Sequence, residues 1–326
     1  MSLTSHASRA WLYAFSRACG LTYAVSPKAT GALEVNLQAM LSITRNLIYR
    51  KPRIVRIRLP HADFSVFIPA SQVTAQNLFT RLSSTGRCYE PIMTEAVFRL
   101  LRHLERPSFL DIGAFMGYYA CYVASLLRDE YPTVAVESNP TYSAAIEESV
   151  KINRFSRVAV YNVVLGDKQE TLTVTGKEVL PGGRSGLQVQ GVPLDQLCEE
   201  EGLTPNIAKM DVHGAEGKVL KGMRRLLKDS IQFLLLELHP VTYLNRYSDG
   251  ILPTEILRLL EESGFTNFHV AGHRVDRMTR DGSAKQTIDF SYRPLDGATE
   301  NLLLFDRDSD IFLLATKDPD IGRLLA

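Results

Sequence analysis

The sequence predicts an α/β protein built on a seven-stranded, mostly parallel sheet with helices on both faces. From residue 108 onward, short apolar runs of strand length alternate with helical stretches, and repeated βα alternation is typical of a parallel sheet. Glycines and ionisable residues directly follow several of these runs. Because such sheets bind ligands at the carboxyl ends of their strands, we expect a single ligand site along that edge.

The predicted elements follow a helix that begins at Pro91 and stops before Pro107. Strands are predicted at Ser108–Ile112, Thr133–Glu137, Val158–Val164, Ile207–Asp211, Ile231–Leu238, Asn267–Val270 and Asn301–Phe305, and helices at Tyr118–Leu127, Thr141–Asn153, Glu216–Leu227 and Pro253–Ser263. Residues 175–191 and 272–297 have loop-like compositions and are candidate lids near the ligand.

Residues 1–88 are predicted to be an N-terminal extension, made of two helices within residues 8–49 and a β-hairpin, to a domain of residues 89–326. Alternating runs at Arg53–Leu59 and Asp63–Ile68 would form the hairpin. Residues 1–62 carry nine Lys and Arg against one acid, Glu34, although the chain has a net charge of only +1. This basic segment either meets an anionic partner or is an ordinary solvated surface. The extension is the candidate cap of the site or contact of a homodimer.

Composition excludes several classes of protein. Hydrophobic residues make up 45% and charged residues 22% of the chain, unlike collagen-like, disordered or coiled-coil sequences. No apolar run approaches the roughly 18 residues of a membrane span. The cysteines are far apart without a CxxC pair, so a reducing cytoplasm is expected. The acid-free first 33 residues also resemble a transit peptide in composition, although a cap helix has the same composition.

A glycine loop follows the first predicted strand. Its glycines would let the backbone approach a ligand at the start of a helix. A dinucleotide fingerprint has three glycines for a pyrophosphate, whereas the carboxylate of Asp111 would repel that group and attract a positively charged sulfonium. The loop therefore favours S-adenosylmethionine over NAD. Its candidate cofactor-binding residues are Asp111, Gly113, Ala114, Phe115, Gly117 and Tyr118.

Further cofactor contacts are predicted after the second and third strands. Glu137 stands 26 residues after Asp111, roughly where an acid accepts hydrogen bonds from a ribose diol in nucleoside-binding folds. Gly166 and Asp167 fall near the expected adenine position, although they would equally serve as a β-turn. The remaining candidates for cofactor binding are Ser138, Asn139 and Asp211.

Ionisable residues cluster after the fourth and fifth strands. Lys209, Asp211 and His213 lie close together at a strand-to-helix turn, and Glu237 falls in a run that would be buried on both faces. A buried carboxylate needs a partner, and Lys209 on the neighbouring strand is the predicted one.

Six ordered motifs together resemble the FkbM family of methyltransferases. They are residues 89–91 (YEP), 110–119 (LDIGAFMGYY), 136–140 (VESNP), 193–197 (PLDQL), 208–216 (AKMDVHGAE) and 236–239 (LELH). The resemblance covers roughly residues 89–305. It implies a Rossmann-like class I methyltransferase fold, S-adenosylmethionine as cofactor, and an acceptor that is most often a hydroxyl of a sugar or secondary metabolite. Phe115 and His213 depart from the Asn and Glu usual in the family, and we expect these departures to alter how the cofactor carboxylate is held and to alter the acceptor site, respectively.

A hydroxyl acceptor must also lose its proton in an in-line methyl transfer. His213 is the candidate base because imidazole ordinarily titrates near neutrality, with Asp211 or Glu237 to orient it; a histidine on a surface turn is the other interpretation. Asp211 could instead bind a divalent cation, but the carboxylates are scattered along the chain, so no required metal is predicted. The candidate catalytic residues are His213, Asp211, Lys209, Glu237 and His239.

Other functions remain open on the sequence. The basic residues 45–58 favour a nucleic-acid methyltransferase, yet the Asp/Asn-Pro-Pro-Tyr turn usual in the amino-group enzymes is replaced by Asp211-Val-His-Gly. A non-catalytic binding module would keep the fold without turnover, although the candidate charged residues are all retained. A small hydroxylated molecule is therefore the expected partner.

Overall fold

The computed structural model describes residues 51–175, 178–181, 187–272, 292–295 and 311–321. All of them belong to one compact unit, residues 51–326. The helices predicted within residues 8–49, the strand predicted at Asn301–Phe305 and most of the loop predicted at 272–297 lie outside the described residues. None of the described helices is both long enough and apolar enough to cross a membrane.

The described residues form two sets of regular elements. The strands are β1 (Arg53–Leu59), β2 (Ala62–Ile68), β3 (Phe109–Ile112), β4 (Thr133–Val136), β5 (Val158–Tyr161), β6 (Val164–Gly166), β7 (Glu170–Thr175), β8 (Glu178–Pro181), β9 (Leu187–Pro193), β10 (Ile207–Met210), β11 (Phe233–Leu238), β12 (Asn267–Gly272), β13 (Arg293–Pro294) and β14 (Ile311–Thr316). The helices are α1 (Val73–Thr85), α2 (Pro91–His103), α3 (Tyr118–Leu126), α4 (Pro140–Asn153), α5 (Leu194–Glu200), α6 (Glu216–Lys221), α7 (Arg224–Asp229), α8 (Val241–Tyr247) and α9 (Pro253–Glu262).

The central sheet has the strand order β13-β12-β14-β11-β10-β3-β4-β5. Strands β11, β10, β3, β4 and β5 pair in parallel, and β14 is antiparallel to both of its neighbours. The predicted seven-stranded, mostly parallel sheet is confirmed, although its antiparallel strand β14 was not among the predicted strands, and the two-residue β13 is added at one edge. The chain order reverses between β3 and β10, so the carboxyl ends of these strands form the switch point at which doubly wound sheets bind ligands.

Two hydrophobic cores cover the two faces of the central sheet. Because successive side chains of a strand point to opposite faces, Leu234 and Leu236 of β11 join one core, whereas Phe233 and Leu235 join the other. This alternation explains why the strand reads as a continuous apolar run.

The predicted N-terminal hairpin is present. Strands β1 and β2 pair antiparallel from Leu59 and Ala62 at the turn. The inward side chains of this hairpin, including Phe64, lie in the same hydrophobic core as helix α3, so residues 51–88 belong to the unit that contains the central sheet. On the outward face, Arg56 forms two hydrogen bonds of 2.7 Å with Asp63, which is an ordinary pairing for solvated charges.

Two predicted segments differ from the structure. The strand predicted at Val158–Val164 divides at Asn162, whose side chain turns away to donate hydrogen bonds to the carbonyls of Glu137 and Ser138. The second piece, β6, belongs to a separate four-stranded sheet of order β6-β9-β7-β8. Residues 175–191 were predicted to be a loop, which is wrong, because β8 and most of β9 fall within this segment and pair with β7.

The helix predicted at Glu216–Leu227 is also divided. Helix α6 ends at Lys221, and α7 begins at Arg224. At Gly222 between them, a Cβ atom would lie 1.9 Å from the carbonyl oxygen of Gly166. The close approach of β6 therefore requires glycine here, and glycine weakens a helix.

Candidate active site

A cavity of about 260 Å³ lies at the switch point of the central sheet. The predicted site residues that line it are Gly113, Ala114, Phe115, Tyr118, Glu137, Ser138, Asn139, Lys209, Asp211, His213 and Glu237. Folding therefore brings the predicted cofactor loop and most of the predicted catalytic residues to a single cavity. The predicted residues that do not line it are Asp111, Gly117, Gly166, Asp167 and His239.

Several lining residues were not among the predicted site residues. They include Phe79 of α1, Tyr89, Glu90, Tyr119, Tyr142 and the apolar run Val163–Leu165. Tyr89 and Glu90 belong to the first of the six motifs, which precedes helix α2, and Tyr119 donates a hydrogen bond of 2.9 Å to the Glu90 carboxylate. The segment after β5 contributes Val163–Leu165 to the cavity, rather than the predicted Gly166 and the exposed Asp167. An apolar surface can pack against the flat face of a nucleobase. The apolar run Val163–Leu165 is visible in the sequence and could have indicated this contact.

The glycine loop is shaped by the approach of two strand ends. Gly113 has φ of +73°, and a Cβ atom at this position would lie 1.8 Å from the carbonyl oxygen of Asp211. Gly117 has φ of +75° and caps helix α3, whose first turn presents N–H groups toward the loop. Both glycines are therefore required by the backbone, although Gly117 does not line the cavity.

Three of the seven described non-glycine residues with positive φ line the cavity. Glu90, Phe115 and His213 all have positive φ, at 42°, 50° and 51°, and all three line the cavity. Non-glycine residues rarely adopt this conformation, and they retain it only where the surroundings hold them there. Such strain is commonly found at ligand sites, which makes this cavity the candidate active site.

Glu137 is held at the end of β4 by backbone donors. Its Oε2 atom accepts a hydrogen bond from the Phe115 N–H at 2.8 Å, and its Oε1 atom accepts one from the Asn139 N–H at 2.8 Å. An ionised carboxylate has about four acceptor positions, so two remain for the hydroxyls of a ligand. Burial raises the pKa of Glu137 to about 7, although these N–H groups oppose the shift.

We expect the affinity for S-adenosylhomocysteine, the demethylated product of S-adenosylmethionine, to fall as the pH is lowered, because Glu137 then becomes protonated. A diol donates to the ionised carboxylate, and a pKa of about 7 means that the carboxyl becomes protonated as the pH falls below 7. The dissociation constant should therefore be about tenfold higher at pH 6 than at pH 8, as measured by calorimetry. Glu137→Gln should bind weakly at both pH values. An equal pH dependence in this variant would assign the titration to another group.

Lys209 forms a buried ion pair with Asp111. The two residues are register partners on the neighbouring strands β10 and β3, and the Lys209 Nζ atom lies 3.4 Å from Asp111 Oδ1. Burial opposes the charged form of Lys209, but the carboxylates of Asp111 and Asp211 raise its pKa above the usual value. The ion pair of Lys209 is thus with Asp111, its register partner, whereas Glu237, the predicted partner, is a further carboxylate that raises the pKa of Lys209. The Asp111 side chain itself is fully buried beneath the glycine loop.

We expect Asp111→Ala to destabilise the protein because it leaves the buried Lys209 ammonium without its ion-pair partner. The free energy of unfolding, measured with urea, should fall by about 3–5 kcal/mol. The double variant Asp111→Leu/Lys209→Met should recover part of that loss, since it removes both buried charges. Arg56→Ala, which breaks an exposed ion pair, is the control and should have a much smaller effect. A similar loss in the control and in Asp111→Ala would contradict the assignment.

Two histidines and two carboxylates form a connected cluster at the ends of β10 and β11. The His213 Nδ1 atom lies 3.0 Å from His239 Nε2, and His239 Nδ1 lies 2.6 Å from Glu216 Oε1. Asp211 Oδ1 is 3.5 Å from His213 Nδ1 and 3.8 Å from His239 Nε2. His213 is half exposed at the cavity, whereas His239 and Glu216 are buried. Asp211 was predicted to orient His213 and lies beside it; Glu216, behind His239, was not among the predicted site residues.

The charge of the cavity favours a cationic ligand. Among the described residues that line it, four carry carboxylates and one, Lys209, carries an ammonium that is already paired with Asp111. The carboxylates are those of Glu90, Glu137, Asp211 and Glu237. The rings of Tyr89, Tyr118 and Tyr119 line the same cavity, and aromatic faces also attract cations. A pyrophosphate would be repelled here, whereas a sulfonium or ammonium group would be stabilised.

Together, the strand order, the glycine loop and the acid at the end of β4 define a class I methyltransferase fold. Residues 111–266 match the family described as Methyltransferase FkbM domain. This part, slightly less than half of the chain, is therefore similar to the FkbM methyltransferase domain, and the resemblance predicted from the six motifs is confirmed. The protein is a methyltransferase.

The chain is similar to several individual methyltransferases. Hexuronic acid methyltransferase AglP of Haloferax volcanii is 27% identical over 179 residues, which cover 51% of this chain and 72% of the relative. The solved structure of methyltransferase FkbM from Methylobacillus flagellatus KT is 15% identical with a TM-score of 0.41, covering 76% of this chain and 60% of that chain. A methyltransferase structure from Agrobacterium tumefaciens, described as SAM-dependent, is 11% identical with a TM-score of 0.43, covering 81% and 70%.

Proposed function

We propose that the protein is an S-adenosylmethionine-dependent O-methyltransferase that acts on a hydroxyl of a sugar or related metabolite. The observation that carries the proposal is the carboxylate-rich cavity at the switch point, where the glycine loop, Glu137 and His213 meet. The name of the H. volcanii relative, a hexuronic acid methyltransferase, supports a sugar acceptor. A hydroxyl of such an acceptor needs a nearby group that removes its proton.

The residues present fit the proposed cofactor. Glu137 has acceptor positions for the ribose hydroxyls, and the apolar Val163–Leu165 run offers a surface for the adenine. Glu90 and Glu237 would complement the positive charges of the amino acid and sulfonium groups. When bound, S-adenosylmethionine supplies an electrophilic methyl group on a positively charged sulfur. Phe115 replaces the Asn usual in the family, but its backbone N–H still donates to Glu137 at 2.8 Å.

The cluster beside the cavity is suited to accept the acceptor's proton. Glu216 accepts a hydrogen bond from His239 Nδ1–H in the simplest assignment of tautomers, which leaves a lone pair on His239 Nε2. That atom then accepts a hydrogen bond from His213 Nδ1–H, so His213 carries its own lone pair on Nε2. The proton of the hydroxyl would move to His213 Nε2, and Asp211 and Glu216 would stabilise the resulting positive charge.

We expect His213→Ala to lower kcat by roughly 10²–10⁴-fold while the dissociation constant for S-adenosylhomocysteine changes little, because the residue would serve the acceptor and not the cofactor. The assay follows transfer of a labelled methyl group to a panel of hexuronic acids and neutral sugars. His61→Ala removes an exposed histidine outside the cavity and is the control. Normal turnover in His213→Ala would transfer the role of base to another group.

A further inference from the structure

Asp211, His213 and His239 each contribute a ligand-type atom to a close group of three. The three atoms are Asp211 Oδ1, His213 Nδ1 and His239 Nε2, all within 4.8 Å of one another. The sides of the triangle they form are 3.0, 3.5 and 3.8 Å. We propose that these three residues bind a divalent transition metal ion.

The spacing of the three atoms matches that of metal ligands. Zinc lies about 2.0–2.2 Å from imidazole nitrogen and carboxylate oxygen, which places tetrahedral ligands about 3.4 Å apart. A triangle with sides of 3.0, 3.5 and 3.8 Å has a circumradius of about 2.0 Å, which lies in the same range. An ion near its centre would therefore reach all three atoms at ordinary bond lengths without movement of the backbone.

A buried carboxylate supports one of the histidines as a ligand. Glu216 is fully buried, and its Oε1 atom lies 2.6 Å from His239 Nδ1 and also accepts a hydrogen bond from the Gly214 N–H. Histidines that bind metals usually donate their other ring N–H to a carboxylate, which fixes the tautomer and orients the ring. Here that arrangement places the lone pair of His239 on Nε2, the atom that faces the proposed ion.

The turn that carries His213 is held in an uncommon conformation. His213 and the following Gly214 have φ of +51° and +101°, and a Cβ atom on Gly214 would lie 2.8 Å from the Tyr243 backbone. Contact with helix α8 therefore favours glycine at this position and constrains the turn. His213 replaces the Glu usual in the family, so the donor set of two imidazoles is a feature of this chain.

The donor set indicates the type of metal. Two imidazole nitrogens suit Zn²⁺, Co²⁺, Ni²⁺ or Fe²⁺, whereas Mg²⁺ and Ca²⁺ prefer oxygen ligands. Three protein ligands leave at least one coordination position, as in catalytic zinc sites, and Asp211 and His213 line the cavity. The absence of a required metal was predicted because the carboxylates are scattered along the chain, but folding brings His239 beside His213 from 26 residues away.

A metal at this position would change how the acceptor is activated. A bound ion lowers the pKa of a coordinated hydroxyl, and with His213 Nδ1 as a ligand the ion would take over the role proposed for His213 Nε2. This consequence rests on the proposed O-methyltransferase function, whereas binding of the metal does not.

The test is metal binding by the full chain in the absence of cofactor and acceptor. Protein treated with EDTA and dialysed would be titrated with ZnCl₂ by calorimetry and with CoCl₂ by visible absorption. We expect about one equivalent of metal to bind. The visible absorption spectrum of the bound Co²⁺ should indicate a coordination site of low symmetry. His213→Ala should abolish this equivalent, and Glu216→Gln should weaken binding by about 10–100-fold. His103→Ala, which removes an exposed histidine of α2, is the matched control.

Retention of the equivalent in His213→Ala, or no saturable binding by the unaltered chain, would overturn the proposal. Because His213 is half exposed, its replacement is compatible with folding, and far-UV circular dichroism would check this. Binding of S-adenosylhomocysteine by the metal-free protein tests the proposed function separately. Failure of the metal site and failure of the O-methyltransferase proposal are therefore distinguishable.

Discussion

The buried ion pair between Asp111 and Lys209 is the interaction on which the cavity depends. It joins the two strands that flank the switch point, β3 and β10, directly beneath the glycine loop. Lys209 also approaches the carbonyl of Gly113 at 3.3 Å and lies 5.2 Å from the ring centre of Tyr119. A buried ion pair contributes little net stability compared with apolar side chains of the same size. We therefore interpret the pair as a positioning device that holds the loop over the strand ends.

The sequence predicted the sheet and the cofactor edge because both follow from local patterns. Short continuous apolar runs are typical of strands buried on both faces, and Glu137 could be located by its distance from the glycine loop. Asp111 illustrates what was misjudged. It alternates with Leu110 and Ile112, so its side chain points from the face of the sheet and not past the end of the strand. This alternation gives the face of the sheet on which Asp111 lies, whereas its pairing with Lys209 also depends on β3 and β10 being neighbours in register.

Other features could not be derived from local patterns. The division that places β6 in a separate sheet depends on pairing between segments far apart in the chain, and Val164 and Leu165 of this strand line the cavity whereas Gly166 and Asp167 do not. The cluster of His213, His239 and Glu216 likewise joins three different elements. Its hydrogen bonds arise from tertiary packing at the ends of β10 and β11. Neither helix periodicity nor strand alternation predicts such contacts.

The central claim is that the carboxylate-rich cavity binds a cationic nucleoside and not a dinucleotide. Parallel calorimetric titrations with S-adenosylmethionine and NADH test it most directly. Binding of one equivalent of S-adenosylmethionine with micromolar affinity, without heat from NADH, is the result that the charge of the cavity predicts. Binding of NADH without binding of S-adenosylmethionine would contradict it.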